Sequence, residues 1–471
     1  MSRIHRGLAL ASVSLASVSL AACRGPIEPV EPPGFADAIA LPRPVDRSED
    51  PRVLEVDLVA RETSLSLVAG GPTTMYGYDG TVPGPLLEAR VGDELRVHFR
   101  NELPEETSIH WHGVRVPNDM DGVPPHTQHA VQPGDTFEYR FAVPDEGLYW
   151  YHPHVRSAAA VGAGLYGAIV VRAPDEPEID EAVLVLSDVA VRDDGALQPA
   201  DSGGDLATLF GREGNVLLVN GRVRPTIHAR VGVPLRLRIV NAAISRYFQL
   251  SLGDQPFTII GGDAGLFERA RVTNRALVVP GQRLDVVVVP RGTAGRTLTL
   301  AWLPYDRGYG STEFRDPEPL LDLLLEEGPD ALVAVPPMPP RPFTPIEATT
   351  PTTVEVALTQ NDRDGRLALG FSGVPSWEAT PFPARVGEVQ RWTFRNTIEW
   401  AHPIHLHGFF FQPIDASGRP LGFWADTIDV PVDGQASFLV RFDERPGMWM
   451  IHCHVLDHAD AGMMGMVELT R

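Results

Sequence analysis

One tetrapeptide recurs three times in this chain, as Ala89-Arg90-Val91-Gly92, Ala229-Arg230-Val231-Gly232 and Ala384-Arg385-Val386-Gly387. Each copy opens a run with strand-like alternation: Leu95 to Phe99, Leu235 to Ile239 and Gln390 to Phe394. Each run reaches an Asn nine residues after its Gly, at Asn101, Asn241 and Asn396. Copies about 140–155 residues apart are too distant for a solenoid, so they imply three copies of one domain. Short alternating strands between turn residues make each copy a β-sandwich, and 44 Gly and 44 Pro supply the turns. The expectation is an all-β chain of three Greek-key sandwiches over 51–173, 174–335 and 346–471. The borders fall near Ala173 and in the Pro-rich link from Pro336 to Pro345. The acidic stretch from Glu313 to Leu332 is compatible with a helix or with an irregular connection.

The repeat also orders the histidines. Eighteen residues after Gly92 comes His110, with His112 two further on, and Gly387 leads by the same offsets to His405 and His407. A later turn behaves alike, Gly134 leading to His152 and His154 and Gly434 to His452 and His454. In the middle copy these places hold Leu250, Leu252, Thr299 and Ala301. Eight histidines at equivalent positions should meet where the first and third domains face each other, leaving the middle domain as a spacer. His5, His98, His126, His129 and His228 read as ordinary packed or surface histidines, although His126 and His129 lie close to the first cluster.

The stretch from His452 to Met466 carries further chemistry. It follows the apolar run Met448-Trp449-Met450-Ile451, which places His452 to Val455 at a strand end. Alternation then sends His452 and His454 to one face and Cys453 to the other, so one strand can serve two metal groups. A Cys, two His and a weak thioether make a blue-copper electron-transfer site. This stretch offers Cys453, His458 and Met463, and the second histidine must come from elsewhere. Zinc would not need eight imidazoles and a separate thiolate, whereas imidazole with thiolate and thioether suits copper.

The clusters His110-Trp111-His112, His152-Pro153-His154, His402-Pro403-Ile404-His405-Leu406-His407 and His452-Cys453-His454 resemble the signature of three-domain multicopper oxidases of the laccase type, from about Arg52 to Arg471. The resemblance implies cupredoxin-like domains and four copper ions: one type 1, one type 2 and two type 3. By similarity the type 1 copper takes His402, Cys453 and His458, with Met463 axial. The type 2 copper takes His110 and His405, and the type 3 pair takes His112, His152, His154, His407, His452 and His454. It further implies electron passage from Cys453 to the adjoining histidines and reduction of dioxygen to water. Asp121 matches the place where relatives keep a proton-relaying acid. A second acid, usual directly after the type 1 histidine, is replaced by Ala459, leaving Asp457 or Asp460 as substitutes.

The donor is expected to be a phenol or aromatic amine approaching the ring edge of His402 or His458, with Phe409, Phe410 and Phe411 available to line its path. Cu(I) is the alternative donor. No methionine occurs between Met338 and Met448, so a methionine-rich cover over the type 1 site is missing. A non-catalytic blue-copper carrier or copper store would not need the eight extra ligands.

Leu20-Ala21-Ala22-Cys23, behind an apolar segment from Gly7 and the basic Arg3 and Arg6, reads as a bacterial lipoprotein signal. Residues 1–22 would be removed and Cys23 lipidated, and 23–50, rich in Pro and acids, would form a tether. Export to the cell envelope follows, periplasmic or at the outer membrane or cell surface. Loss of Arg3 and Arg6 takes the net charge from −21 to −23, which excludes nucleic acid as a partner. A monomer is expected.

Overall fold

The computed structural model describes residues 39–308, 312, 315–339, 341–363 and 365–471. Cys23 and the signal segment lie outside the described residues. Six sheets pair into three sandwiches, each closed over its own core of Leu, Val, Ile and aromatic side chains.

The repeat recognised in sequence proves to be one structural device used three times. In each sandwich the domain's opening strand runs parallel to the strand that follows the repeated Gly. Val53–Val68 pairs so with Glu94–Asn101, Asp180–Val189 with Leu235–Asn241, and Thr352–Arg363 with Val389–Asn396. The Gly itself sits at positive φ in all three, at 80°, 75° and 83°, where a Cβ would be strained. The Asn closes each ladder. Its Oδ1 accepts from the backbone N–H two residues on, at Leu103, Ala243 and Ile398. Its amide donates to two carbonyls, one of them across the domain at Val131, Val278 or Pro431. A buried amide satisfied on both ends fixes the turn that aims the next strand, which is the strand bearing the histidines.

Two expectations need correction. The middle of the acidic stretch is neither helix nor irregular, because Glu318–Glu326 is a strand between Thr297–Leu303 and Thr226–Arg230, with irregular chain at 315–317 and 327–332. Its alternation buries Leu321, Leu323 and Leu325 and turns the acids outward. The proposed tether is bound to the fold from Ile39 onward. Ile39 is 2% exposed in the middle domain's core, the Asn220 amide donates to its carbonyl at 2.7 Å, and Arg43 pairs with Glu88 at 2.6 Å.

Candidate metal centre

One sheet of the third domain, in the order Phe382–Arg385, Met464–Thr470, Gly447–Cys453, His402–Leu406, Thr427–Val430, carries ligands on both faces. Ile404 lies opposite Cys453 and His405 opposite His452. Ile404, Leu406, Ile451 and Cys453 face the core, which puts His402 there as well, and His405, His407 and His452 point out. The first domain mirrors this. His110 pairs with His152 across the strands His110–His112 and Gly147–His152, while Trp111 and Tyr151 fill the core behind them. The two outward faces meet, and the eight histidines form one group.

On the core side, Cys453 Sγ lies 3.6 Å from His402 Nδ1 and 3.7 Å from His458 Nδ1, and the two nitrogens are 3.1 Å apart. Such a triangle encloses a point roughly 2 Å from each atom, the length of a metal–imidazole bond. His458 Nε2–H donates to the Leu209 carbonyl at 3.0 Å, leaving its Nδ1 as the free lone pair. Burial pushes the imidazolium of His402 down to about 3 and the Cys453 thiol well up. A cation bound among these groups is what would favour the thiolate. Met463 is fully buried in the same core, its backbone tied to both Cys453 and His458.

On the other side, ligand atoms of His112, His152 and His454 lie within 4.8 Å of one another, as do those of His405, His407 and His452 and of His110, His154 and His407. His407 Nε2 and His452 Nε2 are 3.1 Å apart. Backbone carbonyls accept from the Nδ1–H of His110, His405, His152 and His452, at Asp121, Asp426, Pro153 and Cys453 respectively, over 2.8–3.1 Å. Since a carbonyl only accepts, the Nε2 of each ring faces inward unprotonated. Nε2 of His110, His152, His154 and His405 and both nitrogens of His112 and His454 are buried without a hydrogen-bond partner. Orphaned imidazole nitrogens converging on one volume are satisfied by metal ions, and the soft set with Cys453 fits copper.

The middle domain is more than the spacer expected from its lack of histidines at the cluster positions. Arg283 is fully buried where three domains meet. It donates to the Leu148 carbonyl at 3.1 Å, the Asp263 carbonyl at 2.8 Å and Asp426 Oδ1 at 2.8 Å, with a second contact to Asp426 Oδ2. Burial alone would raise the Asp426 carboxyl, but the guanidinium outweighs it and holds it below the usual range. Asp426 in turn anchors His405. Gly281, at φ +85°, packs so tightly that a Cβ would lie 2.7 Å from the His454 ring. The helix Gly204–Phe210 brings the Leu209 carbonyl to His458. No motif marks these residues, although Gly281 stands at the repeat position that carries the later turn.

The remaining site residues sort as follows. Asp121 is buried, with Oδ2 2.9 Å from His407 Nδ1. Asp457 is consumed by Arg212, whose Nε and backbone N–H both donate at 2.8 Å, so it is not free to relay protons. Asp460 accepts from the N–H of Ser157 and Ala158 and borders a cleft shared with His154. The expected open ring edge at the type 1 residues is absent: His402 and His458 are both 0% exposed. Phe409 and Phe411 are core, packed on Trp449 and Phe438, and Phe410 borders a different cleft that no candidate ligand lines. They follow the strand away from His402, which is why adjacency in sequence misled.

Models of the multicopper oxidase family match residues 60–176, 180–297 and 343–470. The chain belongs to the multicopper oxidases, copper enzymes built of cupredoxin-like domains that use type 1, type 2 and type 3 copper. It is 32% identical over 445 residues to multicopper oxidase MmcO of Mycobacterium tuberculosis, covering 84% of this chain and 83% of that one. A laccase of Bacillus subtilis is 26% identical, with 93% of this chain and 98% of the relative covered. Among solved structures, a multicopper oxidase from Campylobacter jejuni described as a metallo-oxidase superposes with a TM-score of 0.80 at 27% identity, over 95% and 98% of the two chains.

Proposed function

We propose that His402, Cys453, His458 and axial Met463 hold the type 1 copper, that His110 and His405 hold the type 2 copper, and that His112, His152, His154, His407, His452 and His454 hold the type 3 pair. The observation that carries this reading is the division of one sheet, with His402 and Cys453 on its core face and His405 and His452 on its outer face. Copper, when bound, supplies one-electron oxidation of a donor at the first site and four-electron reduction of dioxygen at the second. The chain supplies the route between them, because Cys453 is covalently continuous with His452 and His454. Asp121 supplies a carboxylate at the His407 ring for proton movement, and Asp460 stands in the cleft beside His154 as the second acid.

The donor in this reading is an electron-rich phenol or aromatic amine. The type 1 residues are covered by the helix Gly204–Phe210, which contains no sulfur and exposes Leu206 by 66%. An electron then enters through the hydrogen bond from His458 to the Leu209 carbonyl rather than over a bare ring edge. Oxygen uptake should be compared with a phenol, an aromatic diamine and chelated Cu(I), at low and high salt. Cationic amines should gain at low salt from the acidic surface. A kcat/KM for Cu(I) more than about tenfold above the organic donors, roughly 1.4 kcal/mol of barrier, would make the enzyme a cuprous oxidase.

Attachment to the envelope through a lipid on Cys23 is part of the same reading, supported by the residues Leu20 to Ala22 before it. Cys23→Ser should move the protein from the membrane fraction to the soluble one, and an unchanged membrane fraction would refute the lipid anchor.

A further inference from the structure

The sheet that carries His452 also presents sulfur. On the strand Gly447–Cys453, Trp449, Ile451 and Cys453 face the core, so Met448, Met450 and His452 point from the opposite face. On the neighbouring strand Met464–Thr470, Val467 and Leu469 face the core and Met464 and Met466 point out. Met450 is registered opposite Met466, and His452 opposite Met464. Side chains paired in this way have Cβ atoms about 5 Å apart. The four thioethers therefore form a continuous ladder, roughly 13 Å along the strand from Met448 to His452.

All four methionines line one cleft of about 1110 Å³, and so does His154. Met450 is 6% exposed, while Met448, Met464, Met466 and His154 are half-buried. The chain has nine methionines, and five fall between positions 448 and 466. Only Met463 among those five turns into the core. Packing alone would be served by the Leu, Ile and Val used elsewhere in these sheets. Four uncharged, soft thioethers facing one water-accessible volume select Cu(I) over the harder cations.

We propose that Met448, Met450, Met464 and Met466 form a Cu(I) docking site that feeds copper to the trinuclear cluster by way of His154 and His452. The proposal rests on the reading of the eight histidines as that cluster. The step is ligand exchange: copper–sulfur contacts break, copper–nitrogen bonds form, and no electron or proton changes hands. The ladder lies on the face of the sheet opposite Cys453, so copper held there is cargo for the cluster and not a donor to the type 1 site.

The test uses the full chain with M448L/M450L/M466L, which keeps the apolar volume and removes three sulfurs. The copper-loaded protein is first fully reduced under anaerobic conditions, so that it takes no electrons from the titrant, and is then titrated with Cu(I) against a chromophoric chelator. Wild type should retain one Cu(I) beyond its four coppers, and the variant should hold that fifth ion at least tenfold more weakly. The copper-free protein is then loaded anaerobically with chelated Cu(I), and samples are oxidised with ferricyanide before reading, so that total copper and the blue band of the cupric type 1 site are followed separately. Uptake of the cluster coppers should slow about tenfold in the variant, with the blue band forming at the wild-type rate. Equal retention of the fifth ion, or equal loading rates, would overturn the proposal. Should the triple variant fail to fold, M466L at the half-buried rung carries the same comparison. A wild-type protein that accepts only its blue copper would contradict the cluster assignment instead.

Discussion

Asp121 Oδ2 lies 2.9 Å from His407 Nδ1, linking a turn of the first domain to an outward-facing ring of the third. The backbone carbonyl of the same residue accepts from His110 Nδ1 at 2.9 Å. One residue thus sets the tautomers of two rings from two domains, and its carboxylate is the ionisable group nearest both.

Asp121→Asn keeps an acceptor for His407 and removes the ionisable group. In stopped-flow half-reactions, reoxidation of the reduced enzyme by oxygen should slow by about a hundredfold, the low end of general acid–base contributions. Reduction of the type 1 copper should be nearly unchanged. Equal slowing of both halves would assign Asp121 a purely structural role.

Arg283 is the bolt between domains, and its removal strands two buried carboxylates, Asp263 and Asp426. Arg283→Gln should destabilise the protein by about 3–5 kcal/mol in denaturant titration, the usual cost of breaking a buried pair from one side. Burial raises the Asp263 carboxyl, so protonation relieves the stranded charge. The loss should therefore shrink between pH 8 and pH 5, and Asp263→Asn in the same background should restore part of it. A loss that is the same at both pH values would contradict the charge argument.

The copper-free chain should be acid-labile. Burial holds His402 and His452 at about 3, below the ordinary 6.5. Between those values the unfolded chain binds protons that the folded chain does not, so stability present near pH 7 is lost as pH falls toward 3. Each such histidine steepens the dependence by up to about 1.4 kcal/mol per pH unit. Thermal melts of the copper-free protein from pH 7 to pH 4 should show a steep fall that copper loading offsets, since the metal competes with those protons. A flat profile would mean these rings are protonated or solvated in the fold.

Much of this site is legible in sequence because its chemistry follows strand periodicity. The His-X-His spacing and the alternation of His452, Cys453 and His454 encode two faces of one sheet, and the repeated Gly and Asn encode the turns that aim them. What stayed hidden depends on contacts between distant segments. Arg283 and the Leu209 carbonyl carry no pattern, and Gly281 shares the repeated turn position without any sign that it packs on the His454 ring. Ile39 and Leu41 are single apolar residues in a Pro-rich stretch, too sparse to announce docking. Exposure is likewise invisible along the chain, so Phe409 to Phe411 suggested a donor path that packing forbids.

The measurement that bears most directly on the central assignment is copper content together with the optical spectrum of Cys453→Ser, set beside His405→Ala. The account predicts that Cys453→Ser folds, loses the blue band and all oxidase turnover, and retains the three cluster coppers, while His405→Ala stays blue and loses oxygen reduction. A Cys453→Ser protein that remains blue, or a well-folded His405→Ala protein that turns colourless, would contradict it.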